Sequence, residues 1–364
     1  MSAMRVAKRR WAGWSQRVRG EALIVLLSRL ANVGVGTVFV LLTARHLGPG
    51  GRGEITIAFT LAWATTNVAD LGTSTSGRIN LLSPDGEVGV SDVVSLTAAL
   101  LPLQVVLSTV VVALLSMTSL HLSLGFSVAV VALSVATMMF NSAVFLFHGL
   151  RRYRDVLVTE ASLAGVQIIV LASLMVSGRL TTTSAVVTMA VGSVVGTLRL
   201  VWAADALQHG VRSWGVIHWR QLIIEGFSPM AGSVALFLAL RLDRIVLAVA
   251  AGRHSLGIYT VALAIPETLR ILPRAVGQVI ADRGRSGIDS VATARRHTRL
   301  FVVGHGLVLA AAALVGWFLL PAVFGEGFVD SRDVLVVVTV AEAVLSIHLM
   351  NQILLVGFGR PHGI

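Results

Sequence analysis

Ten separate stretches of this chain stay apolar for about twenty residues or more. They are Glu21–Ala44, Glu54–Gly72, Val93–Met117, Leu124–Leu146, Val156–Ser177, Ser184–Ala204, Gly226–Ala251, Ser255–Ala281, Leu300–Pro321 and Val334–Val356. A helix needs about 20 apolar residues to cross a hydrocarbon core of about 30 Å, so the pattern predicts an all-α polytopic membrane protein with about ten transmembrane helices. The breaks carry turn chemistry, as in Gly48-Pro49-Gly50-Gly51, Ser83-Pro84-Asp85-Gly86, Gly178-Arg179 and Gly325-Glu326-Gly327. Composition agrees: 55% of the 364 residues are hydrophobic and 13% charged, too few charges for the wet surface of a soluble domain. For the chain as a whole, an ordinary cytosolic enzyme and a disordered polypeptide are excluded. The absence of cysteine removes disulfide frameworks, thiolate metal sites and cysteine nucleophiles.

The net charge of +11 is explained by where the basic residues fall. Connections on one side of the spans hold Arg45, Arg52, Arg179, Arg253 and Arg332. The opposite side holds eighteen basic residues, including six between Arg5 and Arg19 and the run Arg151, Arg152, Arg154. Basic residues collect on the cytoplasmic side, so the N-terminus is expected there, in a multi-pass protein of the cytoplasmic membrane. A nucleic-acid partner is unnecessary. The basic start and first apolar run resemble a secretory signal, but the run exceeds the 7–15 residues of a signal core and no small-x-small site follows, so it reads as an uncleaved first span. Trp11 and Trp14 suit an interfacial anchor on anionic lipid; a disordered basic tail is the alternative.

A shift of 204 residues lays Gly48, Gly53, Thr56 and Ala58 on Gly252, Gly257, Thr260 and Ala262, with Ile57 on Val261. The same shift superposes the third span on the ninth and, approximately, the fourth on the tenth. The last two end alike, in Gly149-x-x-Arg152 and Gly357-x-x-Arg360. Six spans separate the copies, so both enter the membrane from one side, as a parallel repeat about an axis along the membrane normal. The organisation expected is a basic segment over 1–20, a first six-helix bundle over 21–204, a cytoplasmic linker over 205–225 and a second bundle over 226–364. Nothing after Ile364 matches the fifth and sixth spans, so the second bundle reads as incomplete.

Arg241-Leu242-Asp243-Arg244-Ile245-Val246-Leu247, followed by Gly252 and Leu256-Gly257-Ile258-Tyr259-Thr260-Val261-Ala262, resembles the start of the second bundle in polysaccharide-biosynthesis flippases. Ala44-Arg45-His46-Leu47-Gly48-Pro49 with Gly53 is similar to the matching stretch of their first bundle, as is Pro321-x-x-Phe324-Gly325 after the ninth span. These are the Wzx-like, O-antigen type members of the MATE-related (MOP) exporter superfamily. The resemblance covers nearly the whole chain as a pattern of spans and glycines. It implies two six-helix bundles around a central cavity, where this chain supplies ten spans.

Ionisable residues at membrane depth are costly and by default functional. Six arginines fall inside spans: Arg29, Arg199, Arg241, Arg244, Arg270 and Arg274. Arg199 and Arg274 lie near span ends, where a long side chain can snorkel to water. Arg29, Arg241 and Arg270 lie deeper, and Arg244 shares a helix face with Arg241; these four are the expected cavity contacts to phosphate. Glu267, Arg270 and Arg274, spaced three and four apart, share a face, and Pro266 and Pro273 should bend that helix. A structural Glu267–Arg270 pair is the plainer alternative. Asp243, Glu267 and Glu342 are the acids that could couple transport to an ion or form ion pairs. Glu342 has no basic neighbour in sequence, which would suit a proton carrier. Asp70 and Glu160 lie near span ends and are expected to be solvated or paired. The ten histidines form no pair at ligand spacing with a third ligand nearby, and His305 between two glycines reads as packing. Gly192-x-x-x-Gly196 could let the sixth span approach a neighbour. No metal, cofactor or catalytic residue is expected, since no P-loop, paired-glycine fingerprint or serine elbow occurs.

The leading expectation is therefore a transporter that flips or exports a lipid-linked oligosaccharide, a polysaccharide precursor, through a cationic central cavity. Arginine would match the phosphates of a polyprenyl (pyro)phosphate carrier. Asn32, Gln104, Asn141 and Gln167 could meet sugar hydroxyls. Membrane lipids and polysaccharide-assembly proteins are the partners this implies. A MATE-like exporter of small cationic compounds is the alternative. A membrane polymerase or glycosyltransferase fits less well, because the outer loops are short, and a scaffold role is the last possibility.

Overall fold

The computed structural model describes the backbone over 2–83, 87–118, 120–206, 215–285 and 290–357. Side chains are described over 34, 36–83, 87–118, 120–204, 215–283 and 290–354. Trp11, Trp14, Arg29 and Asn32 thus have only their helical backbone described, and Arg360 lies outside the described residues. Among those residues every regular element is helical. The order is α1 (Ser2–Ala69), α2 (Thr73–Leu82), α3 (Val90–Ser116), α4 (Leu124–Gly149), α5 (Tyr153–Val176), α6 (Thr182–Ala206), α7 (Trp219–Leu269), α8 (Ile271–Arg285), α9 (Val291–Phe324) and α10 (Ser331–Gly357). Six of them, α3, α4, α5, α6, α9 and α10, are long and apolar enough to cross a membrane. The chain is an all-α, multi-pass membrane protein.

The turn expected at Gly48-Pro49-Gly50-Gly51 is tighter than a loop. α1 runs through it with a single non-helical residue, Gly48, at φ 66° and ψ −174°. α7 is broken in the same way at Gly252, at φ 79° and ψ 174°. That backbone region is open essentially to glycine alone, and Pro49, its φ preset and its N–H not needed, restarts the helix after Gly48. The two breaks lie 204 residues apart, the interval of the sequence repeat. Each copy of the repeat also makes the same close approach. A Cβ on Gly53 would be driven into the Arg253 carbonyl, and one on Gly257 into the Pro49 carbonyl. Residues 49 and 53 correspond to 253 and 257, so each position meets its partner's counterpart, as a two-fold relation requires.

Two compact units divide the chain, Met1–Leu47 with Glu54–Gly252, and Gly48–Gly53 with Arg253–Ile364. In the first unit α4 is the central helix, with α2, α3 and α6 against it and α5 on α6. Leu133, Met138 and Phe147 of α4 are fully buried. Gly192 and Gly196 of α6 admit Gln167 and Leu163 of α5, and Phe140 of α4, into space a methyl group would fill. This is the close approach the small-residue spacing suggested. The start of α7 is tied to α2, where Ser76 Oγ donates to the Leu222 carbonyl at 2.7 Å and Asn80 Nδ2 to Glu225 Oε2 at 2.6 Å.

In the second unit α10 packs on α8 and α9, with Ile280, Ala294 and Met350 forming a buried cluster. The span expected over Ser255–Ala281 is not one helix. It breaks at Arg270, so the second arm of α7 ends at Leu269 and α8 begins at Ile271. Pro273 has no N–H to give to Leu269, and in the first turn of a new helix none is needed.

Candidate functional site

The strongest buried polar constellation lies in the second unit, around the α7–α8 break. Arg270 Nε donates to Glu342 Oε1 at 2.7 Å and Arg270 Nη2 to Glu342 Oε2 at 2.6 Å. Arg270 is 8% exposed and Glu342 2%. The planar guanidinium meets both carboxylate oxygens at once, the strongest form such a pair takes. The helix break puts this together, because it turns Arg270 off the α7 surface toward α10.

Of the two roles expected for Glu342, coupling acid or ion-pair partner, the contact shows the ion pair. The partner of Glu342 is simply 72 residues away in sequence. Glu267, half-buried one turn earlier, accepts a backbone hydrogen bond from the Arg270 amide at its carbonyl, 3.2 Å away. Ser346 stands one turn past Glu342 on α10, and its Oγ lies 3.2 Å from His305 Nε2 on α9. Both are buried, at 2% and 4% exposure. The His305 ring stacks on Phe301 with centroids 5.5 Å apart, and its Nδ1 has no hydrogen-bond partner among the described residues. His305 packs as its flanking glycines suggested, and it also bonds Ser346 across to α10. The available signal was that His305 and Phe301 lie four apart on a helix whose neighbour carries Glu342 and Ser346 four apart.

Arg274 of α8 is exposed in the second unit, and the first unit holds the charges of the first arm of α7. In α7, Arg244 is buried, Arg241 half-buried and Asp243 exposed. A spacing of three places the arginines on one face, while Leu242 and Val246 are exposed on the other side. Gln104, fully buried, donates to Thr65 Oγ1 at 3.0 Å and to Thr66 Oγ1 at 3.4 Å. Its Nε2 thereby ties α3 to α1, and its Oε1 has no hydrogen-bond partner among the described residues. Asp70 is paired as expected, through hydroxyls. It accepts from Ser74 Oγ at 2.7 Å and Thr73 Oγ1 at 3.3 Å, and Ser74 Oγ lies 2.9 Å from Ser142 Oγ. Among the described residues no group of three or more acidic, histidine or cysteine side chains could hold a metal ion.

No family model matches the sequence, and no curated protein matches it. Solved structures do. The chain is similar to an inward-facing multidrug resistance MATE family transporter of the MOP superfamily, with TM-score 0.66 and 12% identity over 91% of this chain and 82% of that one. It is similar to the eukaryotic MATE transporter AtDTX14, with TM-score 0.59 and 17% identity over 96% and 84%. A MOP-superfamily transporter from Pyrococcus furiosus gives 0.57 and 15% over 94% and 83%. The chain therefore has the fold of MATE-type transporters of the MOP superfamily.

Proposed function

We propose that the chain is an exporter that carries a lipid-linked oligosaccharide across the cytoplasmic membrane, with its N-terminus on the cytoplasmic side and no catalytic step. The observation that supports this most is Arg241-Leu242-Asp243-Arg244 in the second half of the first arm of α7. At about 1.5 Å per residue, Arg244 stands about 12 Å and Arg241 about 16 Å from the Gly252 break. A guanidinium so far from a helix end is costly unless it is paired or faces a polar path, and phosphate oxygens are the ligand its forked donors fit best. Arg29, on the sequence pattern, joins Arg241 and Arg244 in this role. Arg270 is given a different one, since Glu342 holds its Nε and one Nη2 donor; it positions α8 against α10. Asp243 and Glu267 are the proposed coupling acids.

Export of small molecules is the second reading, supported by the multidrug transporters among the similar folds. The Pyrococcus furiosus transporter, described as having a binding pocket of reverse polarity that suggests a different function, speaks for a fold that serves more than one cargo. Proteoliposomes holding the full chain separate the two readings. A fluorescent polyprenyl-pyrophosphate oligosaccharide should cross while a cationic dye does not. Dye export without movement of the lipid-linked sugar would overturn the first reading in favour of the second.

A further inference from the structure

A second cationic site lies in the first unit, away from α7. The turn between α4 and α5 and the neighbouring part of α6 line an open hollow of about 400 Å³, bordered by the exposed Arg151, Arg152, Arg154, Val158 and Arg199 and by Asp155. Four guanidiniums face one carboxylate. Arg152 Nε holds Asp155 Oδ2 at 2.6 Å, which leaves three positive charges beyond that pair. Arg199 Nη1 donates to Thr159 Oγ1, so this arginine is fastened across from α6 onto α5.

The backbone of the turn is informative. The Arg152 amide donates to the Phe147 carbonyl at 2.8 Å and the Arg151 amide to that of His148 at 3.1 Å. This two-bond helix cap normally has glycine at its left-handed position. α5 ends with the same two bonds, from Arg179 to Leu174 and from Gly178 to Met175, and there the left-handed residue is Gly178 at φ 66°. α4 instead has Arg151 at φ 56°. The chain thus carries a cation where the backbone favours glycine, at the border of a hollow already rich in cations.

The surroundings identify the anion. Val191, Val195, Leu198 and Trp202 are all exposed on α6 and recur every three or four residues, so they form one apolar stripe. The stripe passes Arg199, and Trp202, one turn beyond, is the residue type that marks the membrane–water boundary. Cations at that boundary above an exposed apolar stripe match a lipid, with its phosphate among the arginines and its acyl chains along α6. We propose that this hollow binds the phosphate headgroup of an anionic phospholipid, independently of the exported cargo. Basic pockets between transmembrane helices bind such headgroups, and arginine takes phosphate oxygens two at a time.

Native mass spectrometry of the full chain in detergent tests this, with phosphatidylglycerol and phosphatidylcholine of matched acyl chains as probes. Phosphatidylglycerol should be retained preferentially, and Arg154→Gln and Arg199→Gln should each cut that preference about fivefold. Arg151→Gly removes a charge while relieving the backbone, so its loss of preference cannot be ascribed to misfolding. Arg179→Gln, at the opposite end of α5, should change nothing. Equal retention of the two lipids, or an Arg179→Gln loss as large as the others, would overturn the proposal. Displacement of phosphatidylglycerol by equimolar inorganic phosphate would overturn the lipid as the source of the anion.

Discussion

Arg270 and Glu342 form a two-point ion pair at 2.7 and 2.6 Å, both partners buried, at the break between α7 and α8. Removing one partner of a buried pair strands a charge and costs about 3–5 kcal/mol, whereas replacing both with apolar residues of similar size is often neutral. Arg270→Met and Glu342→Leu should therefore each lower unfolding stability in detergent by that amount, and the double variant should recover most of it. Additive losses in the double-mutant cycle would count against the pairing.

The repeat makes a prediction about equality. Gly53 and Gly257 are each pressed on a carbonyl of the other copy, so Gly53→Ala and Gly257→Ala should lower the melting temperature by similar amounts. Gly50, inside the helix with open space around it, should accept alanine with no loss or a gain of up to about 1 kcal/mol. Gly48→Ala and Gly252→Ala force a side chain into a glycine-only conformation at about 1–3 kcal/mol each. A large loss at 53 with none at 257 would contradict the two-fold relation.

The two caps at the ends of α4 and α5 can be exchanged. A left-handed non-glycine residue costs about 1–2 kcal/mol. Arg151→Gly should therefore raise thermal stability, and Gly178→Arg should lower it, each by about 1 kcal/mol. Identical melting curves for wild type and Arg151→Gly would mean that the arginine side chain makes up the backbone cost.

Much of the fold was legible because it rests on local signals. Apolar length gave the helices and the recurring glycines gave the breaks at 48 and 252, whereas Pro266 and Pro273 announced only a bend where the chain breaks at Arg270. Spacing along one helix also placed Arg241 and Arg244 on one face. The site was less legible because its contacts join distant segments. Glu342 looked isolated only along the chain, and nothing near Gln104 in sequence showed that its Nε2 meets Thr65 and Thr66 of α1. Arg151 gave no signal, since nothing in its neighbours announces a left-handed backbone at a non-glycine residue. Arg199 was read as snorkelling to water, and its tie to Thr159 depends on how α5 and α6 pack.

The most direct test of the account is transport by Arg241→Gln and Arg244→Gln in proteoliposomes loaded with a polyprenyl-pyrophosphate oligosaccharide, with Arg179→Gln as the charge control. A charge-assisted contact to phosphate is worth about 1.5–3 kcal/mol. Each α7 variant should thus translocate the lipid-linked sugar at least about tenfold more slowly, while the control runs at the wild-type rate. Wild-type translocation by both α7 variants would contradict the assignment of these arginines to the cargo phosphate.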